Sequence, residues 1–215
     1  MIWHLMMNIL TKVSGKLLLI FLGIFTPSIL LSQTGYEFWF VAPAISYEFI
    51  PPSPILLTGL NQPITLTLSA YDSATTITIT EPANSAFIPI ITTVPLNNNL
   101  VVDLTPYIDI IENKPANTIL PYGIHITSTN PITAFYSVGG SATSYNLESF
   151  CLKGKNALGK EFIIPAQSSF QNYPYCNPPA RNVFDIVATE DSTIIQITPT
   201  SDIIGHLSGV QFSII

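Results

Sequence analysis

The chain has 215 residues, of which only 9% are charged and 47% are hydrophobic. This composition excludes a largely disordered chain, because disorder requires low hydrophobicity and high charge. Seven basic residues against thirteen acidic ones give a net charge of −6, which argues against nucleic acid as a partner.

Residues 1–32 have the order of a secretory signal peptide. Lys12 and Lys16 form a basic region, Leu17–Leu31 is a largely apolar run, and the small residue Ser32 precedes Gln33. We therefore predict cleavage between Ser32 and Gln33 and a secreted or cell-surface location, with the membrane a partner only through the export signal. The alternative is an uncleaved anchor, although this run of fifteen residues is shorter than the ~20 that span a bilayer.

After residue 32 the sequence alternates between apolar and polar residues with the period of a β-strand. We predict an all-β fold of antiparallel β-sandwich-like modules. Turn residues in Tyr71–Ala74 predict a hairpin between the second and third strands, and Asn130–Pro131 predicts a strand end. Thr105–Glu112 fits either a helical turn or a strand edge. The predicted strands are Tyr36–Val41, Pro63–Tyr71, Thr75–Thr80, Phe87–Val94, Leu100–Leu104, Gly123–Ser128, Ile132–Val138, Glu161–Pro165, Val183–Thr189, Thr193–Thr198 and Val210–Ile215.

Two segments suggest an internal duplication. Thr76–Pro82 resembles Thr193–Pro199, and each follows an Asp-Ser pair and precedes a phenylalanine, Phe87 or Phe212. We therefore expect a first module over residues 33–140 and the start of a second over 141–215. The second is expected to be incomplete, as in the front part of a longer protein or a truncated reading frame.

The two cysteines, Cys151 and Cys176, both follow the predicted signal peptide. In an oxidising compartment we expect them to form a disulfide. Two free buried thiols are the alternative.

Residues suited to catalysis are scattered through the chain. Gly139–Thr143 lacks the pattern of a nucleophile elbow, and His125 alternates onto the outer face of its strand. Asp185 and Glu190 are the carboxylates that a hydrolase would use. Asp185, Glu190, Asp191 and Asp202 could also supply oxygen ligands for calcium, which is a further hypothesis. We predict no catalytic residue, no cofactor and no metal site.

Aromatic residues offer a second kind of site. Phe170, Tyr173 and Tyr175 precede Cys176, and exposed aromatics in a loop can stack on sugar rings or anchor a protein. We retain these three as weak ligand-binding candidates, the alternative being a small core beneath a long loop. The aromatics of Tyr36–Phe40 are expected in the core of the first strand.

Four ordered stretches resemble those of a known family. They are Tyr36–Pro43, Gly123–Tyr136, Asn156–Phe162 and Val187–Thr193. In this order they resemble the IgG Fc-binding protein N-terminal domain family over nearly all of residues 33–215. The resemblance implies an extracellular, all-β region of similar modules at the front of a large secreted or surface-attached protein. It transfers no Fc-contacting residue.

The sequence therefore favours a non-enzymatic extracellular binding or structural module of a secreted or surface-displayed, adhesin-like protein. Its partner would be an extracellular protein or glycan. The second hypothesis is a carbohydrate-binding module of a secreted degradative system that uses Tyr173 and Tyr175. A hydrolase acting through Asp185 and Glu190 is the third hypothesis, because fold alone does not determine function.

Overall fold

Strands dominate the computed structural model, which describes residues 33–44, 62–139, 148–166 and 182–215. In that part of the chain, helix is limited to α1 (Ile108–Ile111) and to 3₁₀ turns at Thr105–Tyr107 and Gly154–Ala157. The all-β prediction is confirmed. The strands are β1 (Gly35–Phe40), β2 (Ala42–Pro43), β3 (Ile64–Ala70), β4 (Thr75–Thr80), β5 (Ile90–Val94), β6 (Asn98–Asp103), β7 (Glu112–Asn113), β8 (Ile124–Val138), β9 (Glu148–Cys151), β10 (Ile195–Ile197) and β11 (Phe212–Ile214).

The 15-residue strand β8 organises a seven-stranded sheet. Its first half lies between β1 and β4, so that His125 faces Trp39 on one side and Thr80 on the other. Its second half lies between β3 and β9. Asn130–Pro131 lies inside this continuous strand and marks the change of partners, because proline cannot donate to a ladder. The predicted strand end is therefore wrong, although pairing does change there.

The strands β3 and β4 follow one another along the same side of β8. Ile64–Ala70 pair antiparallel with residues 138 to 132 of β8, and Ile77–Thr80 pair antiparallel with residues 128 to 125. Tyr71–Ala74 is consequently a bend between two strands that run in the same direction, and the predicted hairpin is wrong. β5 pairs with β4, and β6 pairs with β3. β5 and β6 therefore lie along the edges of β4 and β3 that face away from β8.

Alternation places the aliphatic residues inside the bent sheet. Ile64, Leu66 and Leu68 of β3 have no exposed surface, whereas Thr65 and Thr67 lie half-buried on the other face. The same pattern buries Ile77 and Ile79 of β4 and Ile124 and Ile126 of β8. Burial of each such side chain contributes about 1.5–3 kcal/mol relative to exposure.

The first strand follows the prediction only in part. Phe38 and Phe40 are buried in the core, as expected. Trp39 alternates onto the outer face, and Tyr36 is 57% exposed. The register of β1 against β8 shifts between Gly35 and Glu37. Such a bulge interrupts the alternation of side chains between the two faces, which explains why Tyr36 points outward.

Of the two alternatives for Thr105–Glu112, the helical turn forms over residues 105–111, and Glu112 begins a strand. The 3₁₀ turn Thr105–Tyr107 has Pro106 in its first turn and leads directly into α1. Glu112 then begins β7, which pairs in parallel with β2. No helix in the described ranges is long and apolar enough to cross a membrane.

Beyond residue 140 the strands are short. β9 follows the predicted module boundary yet adds to the first sheet by pairing with β8. β10 and β11 form a separate antiparallel pair. The strands predicted at Glu161–Pro165 and Val183–Thr189 are wrong: these residues belong to no strand, and many of their side chains are exposed. The duplication and the division at residue 140 stay predictions.

Candidate functional site

A cluster of polar and aromatic side chains covers the outer face of β1 and β8. Trp39 and His125 face one another across these strands, and their rings stack with centroids 3.9 Å apart. Oε1 of Glu37 accepts a hydrogen bond from Nε1 of Trp39 at 3.1 Å and lies 3.0 Å from Nε2 of His125. The position of His125 on the outer face agrees with its alternation.

Lys155 adds a positive charge to this cluster from the 3₁₀ turn Gly154–Ala157. Its Nζ lies 3.6 Å from Oε2 of Glu37, and its side chain is 76% exposed. The hydrogen bond from Trp39 holds the pKa of Glu37 below its usual range, with further support from His125 and Lys155 against the effect of burial. The carboxylate thus joins two strands and a turn, which is a stabilising arrangement.

A shallow groove lies where the ends of β3 and β6 meet. It has a volume of about 300 Å³ and is lined by Ser69, Tyr71 and Asn97–Asn99. Tyr71 is 51% exposed, and its hydroxyl is 3.1 Å from that of Thr133, a hydrogen bond that orients the ring. An aromatic ring beside amides that both donate and accept can bind a neutral polyhydroxylated ligand. Local sequence patterns did not predict this groove, because it forms only where β3 and β6 pair.

Two of the four carboxylates proposed from the sequence, those of Asp185 and Asp202, have separate hydrogen-bond partners. Nδ2 of Asn113 donates to Oδ1 of Asp185, and the backbone of Ser208 donates to Oδ1 of Asp202. The carbonyl oxygen of Glu190 accepts from the hydroxyl of Thr193, as in a turn. Within the described ranges, no group of three or more His, Cys, Asp or Glu side chains has the arrangement of a metal site. The hydrolase and calcium hypotheses gain no support from these contacts.

The expected disulfide between Cys151 and Cys176 is not formed, since Cys151 is a free thiol. Its Sγ donates to the side-chain oxygen of Gln33 and lies 3.6 Å from the carbonyl of Leu152. Burial raises the pKa of this thiol, and the charge of Lys153 partly opposes that effect. Cys176 lies outside the described residues.

The predicted aromatic candidates Phe170, Tyr173 and Tyr175 also lie outside the described residues, as does Ser32 of the predicted cleavage site. Gln33 is exposed. Just before the aromatic candidates, three consecutive apolar residues are open to solvent: Phe162 is 64% exposed, Ile163 96% and Ile164 49%. This segment, Phe162–Ile164, is the apolar surface that the sequence analysis assigned to a strand.

Comparisons with known proteins add little to this geometry. No family model matches the chain, and no curated protein matches it. The chain is similar to one solved structure, the crystal structure of Thermotoga maritima 1070, at 16% sequence identity and a TM-score of 0.31. That match covers 56% of this chain and 97% of the other. A likeness at this level carries no argument, and the resemblance to the IgG Fc-binding protein N-terminal domain family stays a prediction.

Proposed function

We propose that this chain is a non-enzymatic extracellular binding or structural module of a secreted or surface-displayed, adhesin-like protein. The signal-like order of residues 1–32 supports export. The resemblance to the IgG Fc-binding protein N-terminal domain family supports a place at the front of a large surface protein. The all-β sheet supplies a rigid frame on which exposed segments are presented.

The exposed segment Phe162–Ile164 is the observation that carries this proposal. Three neighbouring large apolar side chains in water are unfavourable, by about 25 cal/mol for each Å² that a partner would cover. Val183 and Phe184 are also exposed apolar residues, at 67% and 43%. Apolar patches of this kind mark protein contacts. A protein partner is therefore the best-supported ligand.

Binding is tested with the exported chain over a panel of immobilised extracellular proteins that includes immunoglobulin G, mucin and the chain itself. We expect saturable binding to at least one of them, weakened about tenfold by Ile163→Ser because a central apolar contact is lost. Ile119→Ser is the matched control, since Ile119 is 69% exposed but precedes β8 in the first sheet region. Binding that both variants weaken equally would count against this surface.

Export is tested separately, with an epitope tag at the carboxyl terminus and fractionation of the cells. The tagged chain is expected outside the cytoplasm and shortened at Ser32–Gln33. Ile20→Asp interrupts the apolar run and should retain the full-length chain inside the cell. A wild-type chain that stays cytoplasmic would contradict the proposed location.

A carbohydrate-binding module of a secreted degradative system is a second candidate, and the Tyr71 groove favours it. Its lining offers one aromatic ring and amide groups, with no charged side chain among the five lining residues. A neutral glycan fits this chemistry. On a glycan array, Tyr71→Ala should abolish a signal that Tyr36→Ala, another exposed tyrosine, retains. Loss of signal with Tyr173→Ala or Tyr175→Ala instead would move the site to the predicted aromatic segment.

A further inference from the structure

Strands β4 and β10 are similar in sequence and in pairing. Shifted by one residue from the alignment of Thr76–Pro82 with Thr193–Pro199, Thr75–Thr80 and Thr193–Thr198 both place isoleucine at the third and fifth positions, and an Asp-Ser pair lies shortly before each. β4 pairs antiparallel with β5, with Ile79 opposite Ile90. β10 pairs antiparallel with β11, with Ile197 opposite Phe212 at the matching position. The two pairs are thus equivalent pieces of sheet.

The two strand pairs differ at the second edge of β4 and of β10, the edge that faces away from β5 or β11. β4 is covered there by β8, so that Ile77 lies opposite Ser128 and Ile79 opposite Ile126. Both isoleucines of β4 are fully buried. Across residues 33–44, 62–139, 148–166 and 182–215, β10 pairs with β11 alone. Its isoleucines are only half-buried, and the neighbouring Ile194 is 60% exposed.

An edge of this kind accepts a strand, because backbone N–H and C=O groups and alternate apolar side chains lie ready for pairing. β8 shows what such a strand looks like when it covers β4. The segment Ile124–Ser128 has isoleucine at 124 and 126 and serine at 128, and it carries no acidic residue. Residues 190–215 contain Glu190, Asp191 and Asp202 and neither lysine nor arginine, so they disfavour an acidic partner.

We propose that the edge of β10 opposite β11, which pairs with no other described strand, is a strand-accepting site. Its ligand is an extended, neutral or basic segment of a partner polypeptide, with aliphatic residues at every second position, bound antiparallel as β8 is bound to β4. The site deepens the proposed binding function and rests on it, but it uses β10 and not the segment Phe162–Ile164.

The test uses a fluorescent peptide with the sequence of Gly123–Asn130 and the full exported chain, in a fluorescence anisotropy titration. We expect saturable binding that is at least about tenfold tighter than that of the same peptide with serine in place of both isoleucines, since the apolar contacts supply the affinity. Hydrogen exchange should show protection of residues 193–198 when the peptide is bound. This second measurement needs no variant.

A pair of lysine variants locates the site. Ile194→Lys with Gln196→Lys places two charges at exposed positions, one just before β10 and one within it. Lysines discourage strand addition at an edge. The double variant should weaken peptide binding at least about tenfold. Thr76→Lys with Thr78→Lys places the same charges at the equivalent positions of β4, whose second edge is filled, and should leave binding unchanged.

Four results would overturn the proposal. They are absence of saturable binding, an equal response to both lysine pairs, protection confined to residues outside 193–198, and a dimer that protects residues 193–198 without peptide. The last result would assign the edge to a second copy of this chain. Failure of the peptide with intact, Ile163-dependent binding to the protein panel would reject the strand-accepting site alone. Failure of the panel with intact peptide binding would reject the role of Phe162–Ile164.

Discussion

Trp39 and His125 lie opposite one another on neighbouring strands, with their ring planes inclined by only 13° and a nitrogen of each within 3.1 Å of the same oxygen of Glu37. A carboxylate oxygen has two lone pairs and can accept from both rings. The stacked rings thus fix the carboxylate, and the carboxylate fixes the rings. Because Trp39 belongs to β1 and His125 to β8, this contact holds the first strand on the sheet.

Glu37→Gln is expected to lower the free energy of unfolding by about 1 kcal/mol at neutral pH, because charge-assisted hydrogen bonds become neutral ones. The pKa of Glu37 is depressed in the folded chain, so its contribution is present above the unfolded pKa and is lost as the pH falls through the folded pKa. Denaturant unfolding at pH 7 and at acid pH measures both effects. Glu161→Gln removes an exposed carboxylate and should change stability little. Equal effects of the two variants would contradict the role of Glu37.

Gly154→Ala is expected to destabilise the contact between β1 and the turn that carries Lys155. Gly154 has a φ of +54°, and an added Cβ would lie 3.0 Å from the carbonyl oxygen of Glu37. Strain at such a backbone angle and the close approach should together lower the free energy of unfolding by about 1–2 kcal/mol. Gly205→Ala is the control: its φ is +84°, but no atom lies within 4 Å of the added Cβ. The loss in Gly205→Ala should be smaller, and the difference between the two losses measures the part that is due to crowding.

The sequence predicted those features that depend on local alternation. Isoleucines and leucines of β3 and β4 point inward because every second residue shares a face, and this rule requires no knowledge of partners. The order of strands could not be predicted in the same way. Turn residues at Tyr71–Ala74 looked like a reversal, yet pairing with the distant β8 kept the two strands in one direction. Register against a remote strand decides such a case.

In the candidate sites, too, features set by local alternation could be predicted, whereas contacts between distant residues could not. The outward position of His125 followed from alternation, whereas its bond to Glu37 joins residues 88 positions apart. The Tyr71 groove likewise joins a bend to the separate Asn97–Asn99 segment. Exposure of Phe162–Ile164 was missed because apolar residues alone predicted a strand, and burial depends on whether a partner element is present.

Tyr136→Phe and Tyr71→Phe are expected to differ although they remove the same atom. Within the described residues, the buried hydroxyl of Tyr136 has no hydrogen-bond partner, and desolvation raises its pKa. Its removal should leave stability unchanged or raise it by up to about 1 kcal/mol. Tyr71 bonds Thr133, so Tyr71→Phe should cost about 1 kcal/mol. Thermal unfolding of both variants decides the matter, and a larger loss in Tyr136→Phe would indicate a bond from that hydroxyl.

Glu81 is expected to make stability depend on pH near neutrality. Its side chain is 4% exposed, one oxygen has no partner among the described residues, and burial raises its pKa from 4.5 to about 7, against a hydrogen bond from Asn84. A raised folded pKa gives a contribution that is fully present below the unfolded pKa and is lost as the pH rises through 7. The free energy of unfolding should therefore fall by about 3 kcal/mol between pH 4.5 and pH 8 through this group.

Glu81→Gln should flatten this dependence, because glutamine resembles the protonated acid and does not titrate. Asn84→Ala removes the hydrogen bond that favours the charged form and raises the folded pKa further, so the fall should be larger and should end at a higher pH than in the wild type. Denaturant unfolding from pH 4.5 to pH 8 gives the three profiles. A Glu81→Gln profile as steep as that of the wild type would assign the dependence to another group. A fall that is smaller and ends at a lower pH in Asn84→Ala would contradict the role of the Asn84 amide.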